Sequence, residues 1–170
     1  MHARCLSILE QTPEILGHLL RGLTPSELIW QPSKDRWSIR MVLAHLADVE
    51  INGFRQRFQA ISRYDDPFLP SYDPEALFRS ANNFDAHHEL VVFRDRRHDT
   101  LKFLRTVTKN SEVYNRTGRH EEFGEISFVQ LLNEFAFHDL GHIRQIMELY
   151  RSCGFYPHMG AFQSIYKINP

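Results

Sequence analysis

Three histidines of this chain have the residue type and spacing of a metal site. His138 and His142, in the segment His-Asp-Leu-Gly-His, are four residues apart. An α-helix advances about 100° per residue, so both imidazoles would project from one helical face. Apolar residues on or beside that face indicate that it points into the protein; they are Leu131, Phe135, Ile146 and Leu149. Two inward imidazoles one turn apart form half of a metal site.

His45 is the natural third ligand. It lies between Val42 and Val49 on a second helical segment, within about 60° of each around the axis. One histidine from one helix and two from another can place three nitrogens at about 2.0–2.2 Å from one cation. Three protein ligands leave a position open for water or substrate, which is typical of catalytic sites. The alternative is a hydrogen-bonded core histidine, and spacing alone leaves both interpretations open.

Other polar residues near this cluster could orient an imidazole from outside the coordination sphere. Glu134 lies one turn before His138, and Gln145 lies one turn after His142. Asp48 and Asp139 offer the same possibility, and Glu134 could equally be an exposed or capping carboxylate. The remaining histidines carry weaker signals. His87, His88 and His98 are expected at the surface, and His2, His120 and His158 in termini or loops.

Helical periodicity predicts four long helices that would position these residues, at about 3–21, 39–61, 83–108 and 128–152. Two capping boxes, 24–27 and 127–130, mark helix starts, and Ser38 is expected to cap the second long helix. Pro13 predicts a kink or restart in the first. Gly154 is expected as the left-handed residue that ends the fourth. The polar stretch 109–125 is expected to be a connection containing a hairpin.

Four amphipathic helices around one core predict an all-α four-helix bundle with short extra helices in the connections. The 170 residues suit one domain spanning 1–170, with the tail 155–170 left unassigned. The net charge of −1 argues against nucleic acid or an anionic membrane as a partner. No leader pattern or long apolar run is present, which favours a cytoplasmic protein. Cys5 and Cys153 form no metal-ligand spacing and are expected to be buried or half-buried thiols.

The two histidine-bearing segments resemble a known family. Trp37-Ser38-Ile39 followed by Leu43-Ala44-His45-Leu46-Ala47-Asp48 is similar to the second-helix signature of the DinB/YfiT-like superfamily. The segment 138–146 resembles its last-helix signature, HDxxHxxQI, and the likeness extends over roughly 6–149. The resemblance implies a four-helix bundle, often a homodimer, that binds nickel, zinc or iron through His45, His138 and His142.

The resemblance also implies a range of chemistries. The leading expectation is a metal-dependent transferase of a low-molecular-weight thiol that acts on a small-molecule substrate. That thiol would come from a cofactor, because Cys5 and Cys153 lie outside the ligand faces. The alternatives are a metal-dependent hydrolase and a non-catalytic bundle that binds metal or ligand. A cavity beside the metal lined by Trp37, Tyr64 or Phe68 would favour an enzyme. No Walker loop, dinucleotide fingerprint or pair of Glu-x-x-His motifs supports another enzyme class.

Overall fold

Four long helical rods make up most of the structure, a computed structural model that describes residues 2–80 and 83–168. The first rod is α1 (His2–Leu19), and a short helix α2 (Pro25–Ile29) follows. The second rod is α3 (Ile39–Val49), a π-helical turn (Glu50–Arg55) and α4 (Gln56–Arg63) in succession. After the short helix α5 (Pro74–Ser80), the third and fourth rods are α6 (Ala86–Val107) and α7 (Phe128–Tyr150).

The rods pack as a four-helix bundle, as predicted. α1 lies beside α6 and α7, and α3 lies beside the same two helices on the opposite side. A second π-helical turn (Arg151–Phe155) and two 3-10 turns (Tyr156–His158 and Gly160–Ile165) continue from α7 into the tail. Within the described residues, none of the helices has the length and apolar character needed to cross a membrane.

A small sheet closes one end of the bundle. Its strands β1 (Phe68–Leu69), β2 (Thr117–His120) and β3 (Gly124–Ser127) are ordered β1-β2-β3. The β2–β3 hairpin confirms the one expected within the polar connection, whereas the parallel pairing of β1 with β2 was not predicted. Gly118 is required here, because a Cβ would lie 3.0 Å from both the Pro67 carbonyl and the Leu69 side chain.

Both predicted capping boxes are present, but the helix does not restart at Pro13 and Gly154 is not a left-handed cap. Pro13 does not interrupt α1, which runs through it. Its missing N–H leaves the Leu9 carbonyl without a helical donor, and the Arg97 Nη1 donates to that carbonyl instead, at 2.8 Å. Gly154 does not adopt a left-handed conformation and lies within the second π-helical turn. The packing there is tight, because a Cβ on Gly154 would lie 3.1 Å from the Tyr150 ring.

Ser38 takes the expected position before α3 but makes no capping hydrogen bond with its side chain. Its hydroxyl is buried without a partner among the described residues. The start of α3 therefore depends on the packing of its apolar face more than on a cap.

The core consists of two apolar clusters separated by one polar layer. One cluster includes Leu9, Phe54, Leu101 and Phe135, and the other includes Leu16, Leu46, Phe93 and Ile143. Between them, at the middle of the rods, lie the buried side chains of Thr12, Glu50, Arg97 and Asp139. Each rod contributes one of these four residues, so the layer crosses the whole bundle.

Arg97 is the centre of this layer, and all its donors have acceptors. Its Nε and Nη2 atoms lie 2.9–3.1 Å from the Glu50 carboxylate, and Nη1 and Nη2 donate to Asp139 at 2.6 and 3.0 Å. With the bond to the Leu9 carbonyl, the five N–H groups of a guanidinium are used. The rings of Phe93 and Phe135 lie 4.7 and 4.6 Å from Cζ. Burial alone would lower the pKa of Arg97, but the two carboxylates raise it above its usual value.

We expect Arg97→Met to lower the free energy of unfolding by about 3–5 kcal/mol, because it leaves two buried carboxylates without their counter-ion. The matched control is Arg105→Met, also on α6, whose exposed pair with Glu10 should contribute less than about 1 kcal/mol. Urea unfolding followed by circular dichroism measures both. Adding Glu50→Gln and Asp139→Asn to Arg97→Met should recover part of the loss. Equal losses in Arg97→Met and Arg105→Met would contradict the prediction.

Candidate metal centre

The structure brings the three predicted ligands together inside the bundle. His45 projects from α3, and His138 and His142 project from α7. The Nε2 atoms of His45 and His138 are 3.1 Å apart, and those of His138 and His142 are 3.2 Å apart. One nitrogen from each of the three residues lies within 4.8 Å of the others.

These distances fit a shared cation. Two nitrogens bound at about 2.0–2.1 Å to one tetrahedral zinc ion are about 3.3 Å apart. A neutral imidazole has only one acceptor nitrogen, and here the same nitrogen of each ring faces the other rings. A cation between them would accept all three lone pairs, whereas a single proton could join only two. Three imidazoles suit zinc, copper, iron or nickel.

Burial keeps the imidazoles in the neutral form that a metal requires. It lowers the pKa of His45 to about 3 and that of His138 to about 2, and neighbouring imidazoles add to both shifts. The pKa of His142 is also lowered by burial, although its hydrogen bond with Gln145 opposes this. The uncharged state of the cluster therefore extends well below neutral pH.

The three imidazoles differ in whether a neighbouring side chain hydrogen-bonds the ring nitrogen that faces away from the cluster. Gln145 holds His142, as predicted, through a 2.8 Å contact between Oε1 and Nδ1, which leaves the lone pair on Nε2. The Nδ1 atoms of His45 and His138 are buried without a partner in the described part of the chain.

The other three residues expected to orient an imidazole have different partners. Asp48 accepts hydrogen bonds from Tyr72 and Asn52, at 2.8 Å each. Asp139 belongs to the Arg97 layer. Within residues 2–80 and 83–168, Glu134 makes no hydrogen bond to an imidazole. In the described part of the chain, these three carboxylates therefore make no hydrogen bond to an imidazole of the cluster.

Three aromatic rings pack against the imidazoles of the cluster. The Trp37 ring lies 4.9 Å from the His45 ring and stacks parallel to His142 at 6.3 Å. The edge of Phe54 meets His138 at 5.2 Å, and the Tyr72 ring is 5.8 Å from His45. Tyr64 and Phe68 are 64% and 62% exposed, and neither they nor Trp37 line the two cavities described next.

Two cavities reach the histidine cluster. The outer cavity, of about 830 Å³, opens beside His138 and His142. The inner cavity, of about 200 Å³, touches His45 and His138 and lies under the small sheet. His120, expected in a loop without function, is buried on β2 and lines the inner cavity. Its position could not be predicted because it depends on the pairing of β2 with the distant β1.

Glu134 lines both cavities, beside His138. Its side chain reaches solvent, but the protein atoms around the carboxyl group raise its pKa to about 7, while Arg57 opposes this shift. A carboxyl group with a pKa near neutrality can both accept and release a proton under physiological conditions. The sequence placed Glu134 near the ligands, but its environment is set by residues of other elements.

Comparison with known proteins identifies the family. The profile of the DinB superfamily matches residues 8–146. The chain belongs to the DinB superfamily. This DinB-family chain is 26% identical over 152 residues to "Putative metal-dependent hydrolase YfiT" of Bacillus subtilis, covering 88% of this chain and 84% of that protein. It is 24% identical to "Putative metal-dependent hydrolase OB0782" of Oceanobacillus iheyensis, over 83% of this chain and 81% of that one.

Solved structures agree with the architecture. The structure of YfiT from Bacillus subtilis, whose title describes "a probable metal-dependent hydrolase with an unusual four-helix bundle topology", superposes with a TM-score of 0.79 and 25% identity. The superposition covers 90% of this chain and 87% of the YfiT chain. TT2238, titled a four-helix bundle protein, superposes with a TM-score of 0.61 and 24% identity, covering 86% of this chain and 98% of its own.

We expect His45→Ala, His138→Ala and His142→Ala each to reduce metal binding sharply while the helical content stays largely unchanged. Gln145→Leu should weaken the affinity by about 10- to 100-fold, because His142 loses the group that orients it. Elemental analysis and competition with a chromophoric chelator measure occupancy and affinity. His98→Ala, an exposed histidine of α6, is the control and should bind metal as the wild type does. Full occupancy in both His138→Ala and His142→Ala would show that the cluster is not the metal site.

Acid should destabilise the metal-free protein through the same histidines. His45 and His138 have pKa values far below the usual 6.5, so below that pH the unfolded chain binds more protons than the folded one. The free energy of unfolding should therefore fall as pH drops from about 6.5, by up to about 1.4 kcal/mol per pH unit for each histidine.

Chemical unfolding between pH 7 and 4.5, in chelator, tests this prediction. His45→Leu should show a shallower loss than the wild type, and His98→Leu should follow the wild type. Comparing variants is necessary because burial raises the pKa of Glu50, which gives the opposite slope. If the free energy of unfolding falls with pH equally in the wild type and in His45→Leu, His45 is not held neutral in the folded state.

Proposed function

We propose that this DinB-family chain is a metal-dependent hydrolase of a small-molecule substrate. His45, His138 and His142 hold the cation, and Glu134 transfers the proton. The position of Glu134 carries the proposal: its carboxyl group lies beside His138 and lines both cavities that reach the cluster. The names of the relatives as metal-dependent hydrolases support the same reaction class.

The division of roles follows from the geometry of the residues. A divalent cation bound there would polarise a substrate carbonyl and lower the pKa of water. Glu134, as the carboxylate, accepts the proton of the attacking water and, once protonated, releases it to the leaving group. Trp37 and Phe54 pack against the imidazoles and limit the water that reaches them.

Thiol transfer is the second candidate function. The outer cavity, at about 830 Å³, is large enough to hold a cofactor-sized thiol beside the histidines. The thiols of the chain itself are elsewhere: Cys5 is buried against Asn133, and Cys153 lines a separate cavity with Glu27. A thiol acting at the cluster would therefore be an added one. Hydrolysis comes first because Glu134 supplies the base that water requires and a metal-bound thiol does not.

Three further expectations stay predictions. A homodimer is supported by exposed apolar residues on the outer side of α7, namely Phe137, Leu140 and Met147. A cytoplasmic location remains a prediction. A non-catalytic, metal-binding role for the bundle remains the alternative to an enzyme. The metal, whether nickel, zinc or iron, follows from elemental analysis.

We expect Glu134→Gln to lower kcat for ester or amide hydrolysis by about 10²- to 10⁴-fold, because the isosteric amide cannot accept the proton. Metal content and KM should change little, since Glu134 is not among the proposed ligands. The assay is a panel of simple esters and amides, with zinc, nickel or iron added, with and without low-molecular-weight thiols. Glu125→Gln, an exposed carboxylate on β3, is the control and should keep wild-type kcat.

The panel also separates the two candidate functions. Turnover that needs metal but no thiol, and that is lost in His45→Ala, supports hydrolysis. Turnover that needs both metal and thiol supports transfer and rejects hydrolysis. Wild-type kcat in Glu134→Gln would remove Glu134 from the reaction.

A further inference from the structure

Cationic side chains dominate the wall of the outer cavity. The four are Arg36, Arg144, Arg151 and Lys167, and two acidic residues, Glu134 and Glu148, line the same cavity. The chain as a whole has a net charge of −1. The positive charge at this cavity is therefore a local concentration and not a property of the whole surface.

One of these four cations forms an ion pair with an acidic residue of the same cavity. Arg151 pairs with Glu148, with Nη1 and Oε2 3.0 Å apart. Glu134 has the role in proton transfer proposed above. A cleft lined mainly by one sign of charge concentrates ligands of the opposite sign. A cation held by the neutral histidines would add to the same field.

One of these cations, Lys167, belongs to the tail that follows α7. Gln163 Nε2 donates to the Tyr156 carbonyl at 2.6 Å, and the Tyr156 hydroxyl donates to the Gln163 carbonyl at 3.5 Å. This closed turn brings the chain back along α7, and Lys167 lies beyond it, in the wall of the cavity. The DinB match ends at residue 146, so Lys167 lies outside the matched part of the chain.

We propose that the outer cavity selects substrates that carry an anionic group, a carboxylate or phosphate, which Arg144 and Lys167 bind while the hydrolysable bond lies at the histidine cluster. The proposal rests on the hydrolase function proposed above and names its substrate class. Lys167 and Arg144 are specificity-determining residues in this scheme. They hold the substrate and take no part in the bond-breaking step.

Two esters that differ by one carboxylate test the proposal: 4-nitrophenyl acetate and 4-nitrophenyl hemisuccinate. The zinc-loaded full chain should hydrolyse the hemisuccinate with the lower KM. Lys167→Gln and Arg144→Gln should each raise the KM of the hemisuccinate roughly two- to fivefold relative to the KM of the acetate, the size of an exposed ion pair. Lys167→Arg should restore the wild-type KM.

The matched control is Lys102→Gln, a lysine that lines a different cavity, between α1 and α6. It should leave both KM values unchanged. Equal KM values for the two esters, in the wild type and in both variants, would overturn the proposal and leave the hydrolase function in place.

Calorimetric titration gives a readout that needs no turnover. Succinate should bind the zinc-loaded chain more tightly than acetate, and succinamide should bind more weakly than succinate. The ratio of the affinity for succinate to the affinity for acetate should fall roughly two- to fivefold in Lys167→Gln. This ratio should also decrease when salt is added. Inorganic phosphate, titrated in parallel, distinguishes a preference for phosphate from one for carboxylate.

The two proposals can fail separately. A succinate advantage that depends on Lys167, with no hydrolysis of either ester, supports the anion site and rejects these esters as evidence of hydrolysis. A succinate advantage that is unchanged in Lys167→Gln and Arg144→Gln overturns the anion site.

Discussion

The buried guanidinium of Arg97 is the interaction on which the rest of the structure depends. From α6 it binds the Leu9 carbonyl of α1, Glu50 at the start of the first π-helical turn and Asp139 of α7. Asp139 follows His138 directly, and Glu50 lies five residues after His45. The clamp therefore sets the distance between the two helices that carry the ligands. Removing a charge from this layer would change the spacing of the histidines as well as the stability of the bundle.

A proline makes part of this arrangement possible. Pro13 cannot donate to the Leu9 carbonyl, and a carbonyl left unpaired in the core would be costly. Arg97 satisfies it, so the helix continues through a residue that has no backbone N–H to donate. The same carbonyl supplies the guanidinium with the neutral acceptor it needs in addition to two carboxylates. Each of these features would destabilise the core without the other.

Local patterns were sufficient to predict the bundle and to select three candidate ligands, although spacing alone also allowed hydrogen-bonded core histidines. The Ser127–Gln130 capping box, the apolar face of α7 and the spacing of His138 and His142 are all encoded within a few helical turns. His45 was predicted because its own helix is equally regular. The DinB family profile confirms the fold that these segments indicated.

The parts that could not be predicted depend on residues far apart in the sequence. Arg97 resembles a surface arginine until Glu50 and Asp139 are placed around it, and β1 is too short to show a strand period. Lys167 lies in a tail without periodicity, so its position beside the cluster follows only from the folded chain.

The position of the tail also has an evolutionary consequence. The ligand-bearing helices are packed parts of the bundle, whereas Arg36 in the wall of the outer cavity comes from a connecting loop and Lys167 from the segment that follows α7. Loops and termini tolerate sequence change better than packed helices do. Mutations there can alter the cavity wall without moving His138 or His142. A lineage could thus acquire new ligand preferences by drift in the segment after α7 while the histidine cluster persists unchanged.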